Sequence, residues 1–75
     1  MGRLPGFGAG DVTRVAERLG WSLERRRGSH LIYRKESDAR NLSVPNHRVL
    51  KEGTLRSLVH TMGLTVDEFL ELARG

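Results

Sequence analysis

Cysteine is absent from this sequence. Disulfides, thiolate zinc sites and thiol nucleophiles are thereby excluded. Aromatic residues are scarce: one tryptophan, one tyrosine and two phenylalanines. No apolar run approaches the roughly 20 residues that span a bilayer. The opening Met1-Gly2-Arg3-Leu4-Pro5-Gly6 lacks the apolar stretch of a secretory signal. A soluble cytoplasmic protein with no membrane partner is the expectation. The usual metal and cofactor signatures are missing as well. His30, His47 and His60 stand in different segments, without the spacing of a metal-binding pair, so no metal site is expected. The glycine-rich Gly6-Phe7-Gly8-Ala9-Gly10 has no preceding strand and no Gly-Lys-Ser/Thr ending, so it reads as an entry to a helix and not as a phosphate loop. No small-molecule cofactor is implied. The acids are scattered, with no convincing acid/base pair of carboxylates.

What is present begins with size and charge. The chain has 75 residues, which fits one domain over residues 1–75. A domain this small buries only roughly 60% of its unfolded surface, so its working surface should be an open face, not a deep pocket. The net charge is +4, and it is unevenly spread. Residues 25–51 hold eight basic and two acidic side chains, and the remainder holds five basic and seven acidic. Such a concentration fits a polyanionic partner, although a solvated basic surface would look the same.

Three segments have helical periodicity: Val12-Val15-Ala16-Leu19, Leu55-Leu58-Val59-Met62 and Val66-Phe69-Leu70-Ala73. Gly8 is placed as the first N-cap, with Asp11 in the first turn. Gly20 and Gly63 are placed to end the first two helices. Thr65 to Glu68 reads as a capping box for the third. Between the first two helices the period falls to two. Trp21 and Leu23, then Leu31 and Tyr33, then Leu42 and Val44 mark three short strands. Arg27-Gly28-Ser29 forms a tight turn, Glu36-Ser37-Asp38-Ala39 a polar loop, and Pro45 the end of the last strand. The pattern predicts an α+β fold of order α-β-β-β-α with a short extra C-terminal helix. Its three-stranded antiparallel sheet carries the helices on one face. If Trp21, Leu23, Leu31, Tyr33, Leu42 and Val44 face the helices, then His30, Ile32 and Arg34 face solvent.

The chemistry concentrates in Arg25-Arg26-Arg27-Gly28-Ser29-His30. Imidazole suits proton transfer near neutral pH. Guanidinium grips phosphate bidentately and stays charged. A glycine lets the backbone approach a substrate closely. By strand parity Arg26 joins Ser22 and Glu24, and one or two of the three arginines should touch the phosphates of a polyanionic partner. The residues alone leave catalysis and a plain basic surface both open.

Read in order, Gly28-Ser29-His30-Leu31-Ile32-Tyr33-Arg34, Leu42-Ser43-Val44-Pro45-Asn46-His47, Lys51-Glu52-Gly53-Thr54-Leu55-Arg56-Ser57-Leu58 and Met62 to Leu70 resemble the HicA family of toxin–antitoxin ribonucleases. The opening Leu4-Pro5 and Leu19-Gly20-Trp21 extend the likeness to most of the chain. The resemblance implies a double-stranded-RNA-binding-domain-like fold, cleavage of mRNA without a metal, and a HicB-like antitoxin that blocks the active face. It places the catalytic histidine at His30. It departs at Gly8, where the family commonly has serine, and at Gly20-Trp21, where it often has Gly-Phe. Arg26, Arg27, Gly28, Ser29, Arg34, Lys35 and His47 are the expected RNA contacts. His47 is alternatively a second proton carrier or a loop cap. His60 reads as plain surface, and Tyr33 and Trp21 as core. The rival readings are an RNA-binding module of the same fold without activity, and a protein adaptor that never meets RNA.

Overall fold

Six elements follow one another in the computed structural model, which describes residues 6–75. They are α1 (Ala9–Arg18), β1 (Ser22–Arg27), β2 (His30–Lys35), β3 (Asp38–Pro45), α2 (Glu52–Thr61) and α3 (Val66–Arg74). Met1 to Pro5, including the Leu4-Pro5 of the resemblance, lie outside the described residues.

The three strands form one antiparallel sheet in the order β1-β2-β3. α1 and α2 pack against β3, and α3 packs against both helices. The expected α+β arrangement is therefore present, consistent with a double-stranded-RNA-binding-domain-like fold. Tyr33, Leu42 and Val44 from the sheet join Val12, Val15, Leu55, Val59 and Phe69 from the helices in a single core. Each fully buried aliphatic or aromatic side chain of this kind contributes about 1.5–3 kcal/mol. Phe7 meets Phe69 edge to face, with ring centroids 5.4 Å apart.

The helix ends explain the helix limits. At α1, the Asp11 carboxylate accepts the Gly8 N–H at 2.9 Å. Gly8, having no side chain, supplies only half of a capping box. At α3 the box is complete: Thr65 Oγ1 accepts from the Glu68 N–H at 3.1 Å, and Glu68 Oε1 accepts from the Thr65 N–H at 2.8 Å. Gly20 and Gly63 take the positive φ expected of them. The last carbonyls of α3 are satisfied from α1. Arg14 donates to the Ala73 carbonyl at 2.6 Å, and Arg18 to the Leu72 carbonyl at 3.1 Å.

Several expectations are corrected. Leu23 is 45% exposed and not core. It shares the helix-side face with its partner Tyr33, but it lies on the edge strand, beyond the helices packed on β3. Ile32 is on the open face yet buried, flanked in register by Arg25 and Ser43. The turn after β2 is only Glu36-Ser37, because Asp38 already pairs with Lys35. β3 therefore begins three residues before Asn41, and the polar loop shrinks to a two-residue connection. Arg27 likewise belongs to β1, paired with His30, which leaves Gly28-Ser29 as the whole first turn.

Candidate functional site

Gly28 sets the site. Its φ of 60° at the first central position of a two-residue turn matches a type II′ hairpin, which favours glycine there. The turn fixes the register outward from itself: Arg27 opposite His30, Arg26 opposite Leu31, Arg25 opposite Ile32. Directly opposed residues of an antiparallel pair share a face. Arg25 and Arg27 therefore stand on His30's side, and Arg26 stands with Leu31 toward the helices.

This reverses the parity counted forward from Trp21. The register slips between Leu23 and Arg25, so Glu24 is an extra residue in β1. Such a bulge shifts all later side chains to the opposite face. Arg26 does not join Ser22 and Glu24. Its charge instead reaches the helix side, where it acts on the Tyr33 phenol. Counting backward from Gly28-Ser29 gives the observed faces without any knowledge of the bulge. That signal was available in the sequence and identifies Arg25, which forward counting missed.

On the open face Arg25, Arg27, His30, Ile32, Asn41 and Ser43 surround one depression. His30 is exposed there. Across β2 its register partner on β3 is Pro45. The chain after Pro45 folds back onto the hairpin. The Asn46 N–H donates to the Ser29 carbonyl at 2.7 Å, and the His47 N–H to the Pro45 carbonyl at 2.8 Å. The His47 carbonyl then accepts the Ala9 N–H at the start of α1, at 2.9 Å. His30 and His47 consequently line a second depression together with Pro45, Val49, Lys51 and Thr54. His30 borders both depressions.

The remaining expected contacts divide between near and far. Gly28 and Ser29 are exposed at the hairpin tip beside His30. Arg34 shares His30's face but sits toward the far end of β2, 3.9 Å from the Glu24 carboxylate. Lys35 turns to the helix side, its Nζ 6.0 Å from the centre of the Trp21 ring. Arg26 and Lys35 thus stand away from the imidazole, and Arg25, Asn41, Ser43 and Lys51 stand near it. Arg40 is engaged elsewhere, held by both Asp38 oxygens and the Thr61 carbonyl. Hydrogen bonds from Arg40 hold the Asp38 carboxyl down at about 2. Burial, and then a hydrogen bond to Glu17, push the Tyr33 phenol up. Neither group belongs to the depression at His30. Among the described residues, no group of three His, Asp or Glu side chains is arranged to hold a metal ion, and no helix is long and apolar enough to cross a membrane.

The arrangement can do phosphate chemistry. It offers an exposed imidazole, the Arg25 and Arg27 guanidinium groups lining the same depression, and an open approach. A sequence model of the family described as "HicA toxin of bacterial toxin-antitoxin" matches residues 9–64, a span containing every residue of both depressions. No curated protein matches the chain.

Proposed function

The chain belongs to the HicA toxin family of toxin–antitoxin systems, and from that premise we propose that it is a single-domain endoribonuclease that cuts mRNA by proton transfer at His30. The observation that carries the reading is the exposed His30 imidazole opposite Arg27 on an open basic strand face.

The chemistry needs few parts. A ribose 2′-hydroxyl loses its proton and attacks the adjacent phosphorus. The P–O5′ bond breaks, the 5′-oxygen gains a proton, and a 2′,3′-cyclic phosphate remains. His30 serves one of these proton transfers as general base or acid. Arg27 and Arg25 neutralise the charge gathering on the phosphoryl oxygens. Gly28 and Ser29 let the RNA backbone come close to the hairpin tip. Arg34 extends the basic face along β2, whereas Arg26 and Lys35 act on RNA only at longer range. The reaction calls for no metal and no cofactor. A HicB-like antitoxin silences the toxin by covering the same face, and both work in the cytoplasm.

The test is RNA cleavage in excess EDTA by the wild type and by His30→Ala. The reading expects cleavage by the former and a loss of about 10²–10⁴-fold in the latter. RNA that is bound but never cut would instead assign the chain to the non-catalytic RNA-binding modules.

A further inference from the structure

We infer that His47 is the second proton-transfer residue of the site, so that His30 and His47 divide the two proton transfers of one RNA cleavage between them. This inference rests on the nuclease reading above.

Cleavage through a 2′-hydroxyl requires one group to remove a proton and another to supply one on the opposite side of the phosphorus. A lone imidazole must do both in turn or leave one to water. The structure places a second exposed imidazole on the depression that His30 shares with Lys51 and Thr54. The loop that carries His47 is held from three directions. Asn46 is bonded to the hairpin turn through Ser29, His47 to the end of β3 through Pro45, and the His47 carbonyl to α1 through Ala9. Gly8 tightens this seat. A Cβ at Gly8 would collide with the backbone carbonyl of Arg48, so only glycine lets the loop lie so close to α1. All these restraints act on the backbone of residues 46–48. They fix where His47 stands and leave its ring exposed, as a group that meets substrate must be.

The step balances within the pair. One ring takes the 2′-hydroxyl proton as the 2′-oxygen to phosphorus bond forms. The other gives its proton to the 5′-oxygen as the P–O5′ bond breaks. Exchange with water restores both rings for the next turnover. Lys51, on the same depression, supplies positive charge for the phosphate.

The test uses two oligoribonucleotides, identical except that one carries sulfur in place of the 5′-oxygen at a position the wild type cuts. A thiolate leaves without a proton, so it needs no general acid. His30→Ala and His47→Ala should each slow the oxygen linkage by about 10²–10⁴-fold. The sulfur linkage should restore one of the two variants to near the wild-type rate and leave the other slow, and the restored variant names the acid. His47→Gln, which can still donate a hydrogen bond but cannot carry the proton, should be as slow as His47→Ala. Because, among the described residues, the hydrogen bonds that hold the loop involve the His47 backbone and not its ring, melting temperatures of both His47 variants should match the wild type. Wild-type rates in His47→Ala, recovery in His47→Gln, or equal defects on both linkages in both alanine variants would each overturn the assignment while leaving His30 in place. Absence of RNA cleavage by the wild type would remove the nuclease reading and this one together.

Discussion

At the scale of single residues, the arginines separate sharply. Arg25 and Arg27 share His30's face and Arg26 does not. A phosphate contact on single-stranded RNA contributes about 0.7 to the slope of log affinity against log salt. Arg25→Ala and Arg27→Ala should each lower that slope by about this amount, and Arg26→Ala should leave it nearly unchanged, as read by fluorescence anisotropy over a salt series. An equal loss in Arg26→Ala would contradict the observed parity. Gly8 makes a second prediction. Serine at this position, the residue common in the family the sequence resembles, must push the 46–48 loop away from α1. Gly8→Ser should cost about 1–3 kcal/mol in urea denaturation, the usual range for overpacking, and should slow RNA cleavage more than it weakens RNA binding. His30 and the hairpin tip were legible in the sequence because Gly28-Ser29 announces its own turn. Arg25 was hidden only from a count running forward from Trp21, because nothing about Glu24 announces a bulge, whereas the turn at Gly28-Ser29 gives its face directly. The closeness of His47 to His30 was hidden too, since it depends on backbone bonds between segments far apart in sequence.

At the scale of elements, caps and packing carry separable energies. Thr65→Ala removes the acceptor for the Glu68 N–H and should destabilise the protein by about 1 kcal/mol. Phe69→Ala removes a fully buried ring from the centre of the core and should cost about 3–5 kcal/mol. Both are read from denaturant midpoints, and comparable costs for the two would argue that α3 is held by its ends and not by its buried face. The helices were readable in advance because a 3.6-residue period, a capping box and terminal glycines all agree. The strands were readable as strands but not in their limits. Asp38 looks like loop by composition, yet it pairs with Lys35 and anchors Arg40. Leu23 looks like core by alternation, yet an edge strand outside the helix layer leaves it exposed.

At the scale of the whole molecule, the fold puts its apolar layer on one side of the sheet and Arg25, Arg27 and Arg34 with His30 on the other. Stability against pH follows from groups outside the site. Arg40 holds Asp38 below its ordinary 3.8, at about 2. A depressed carboxyl stabilises the fold above 3.8, and that contribution is lost as the pH falls through about 2. Tyr33 behaves oppositely. Its raised phenol stabilises the fold below 10.0, and the contribution fades as the pH rises past that value. Asp38→Asn should therefore narrow its stability deficit against wild type between pH 3.8 and about 2, measured as urea midpoints. A deficit that stays constant across this window would show that the Arg40 pairing contributes nothing. On the functional side, RNA and a HicB-like antitoxin should compete for the open face, and a ternary complex would separate the two surfaces.

The most direct test of the account compares binding with cutting in one variant. His30→Ala keeps Arg25, Arg27 and the hairpin, so its affinity for RNA should remain within a few-fold of wild type. Its single-turnover cleavage rate in excess EDTA should fall by about 10²–10⁴-fold. Cleavage at the wild-type rate with affinity intact would contradict the account, because the exposed imidazole would then have no part in breaking the phosphodiester.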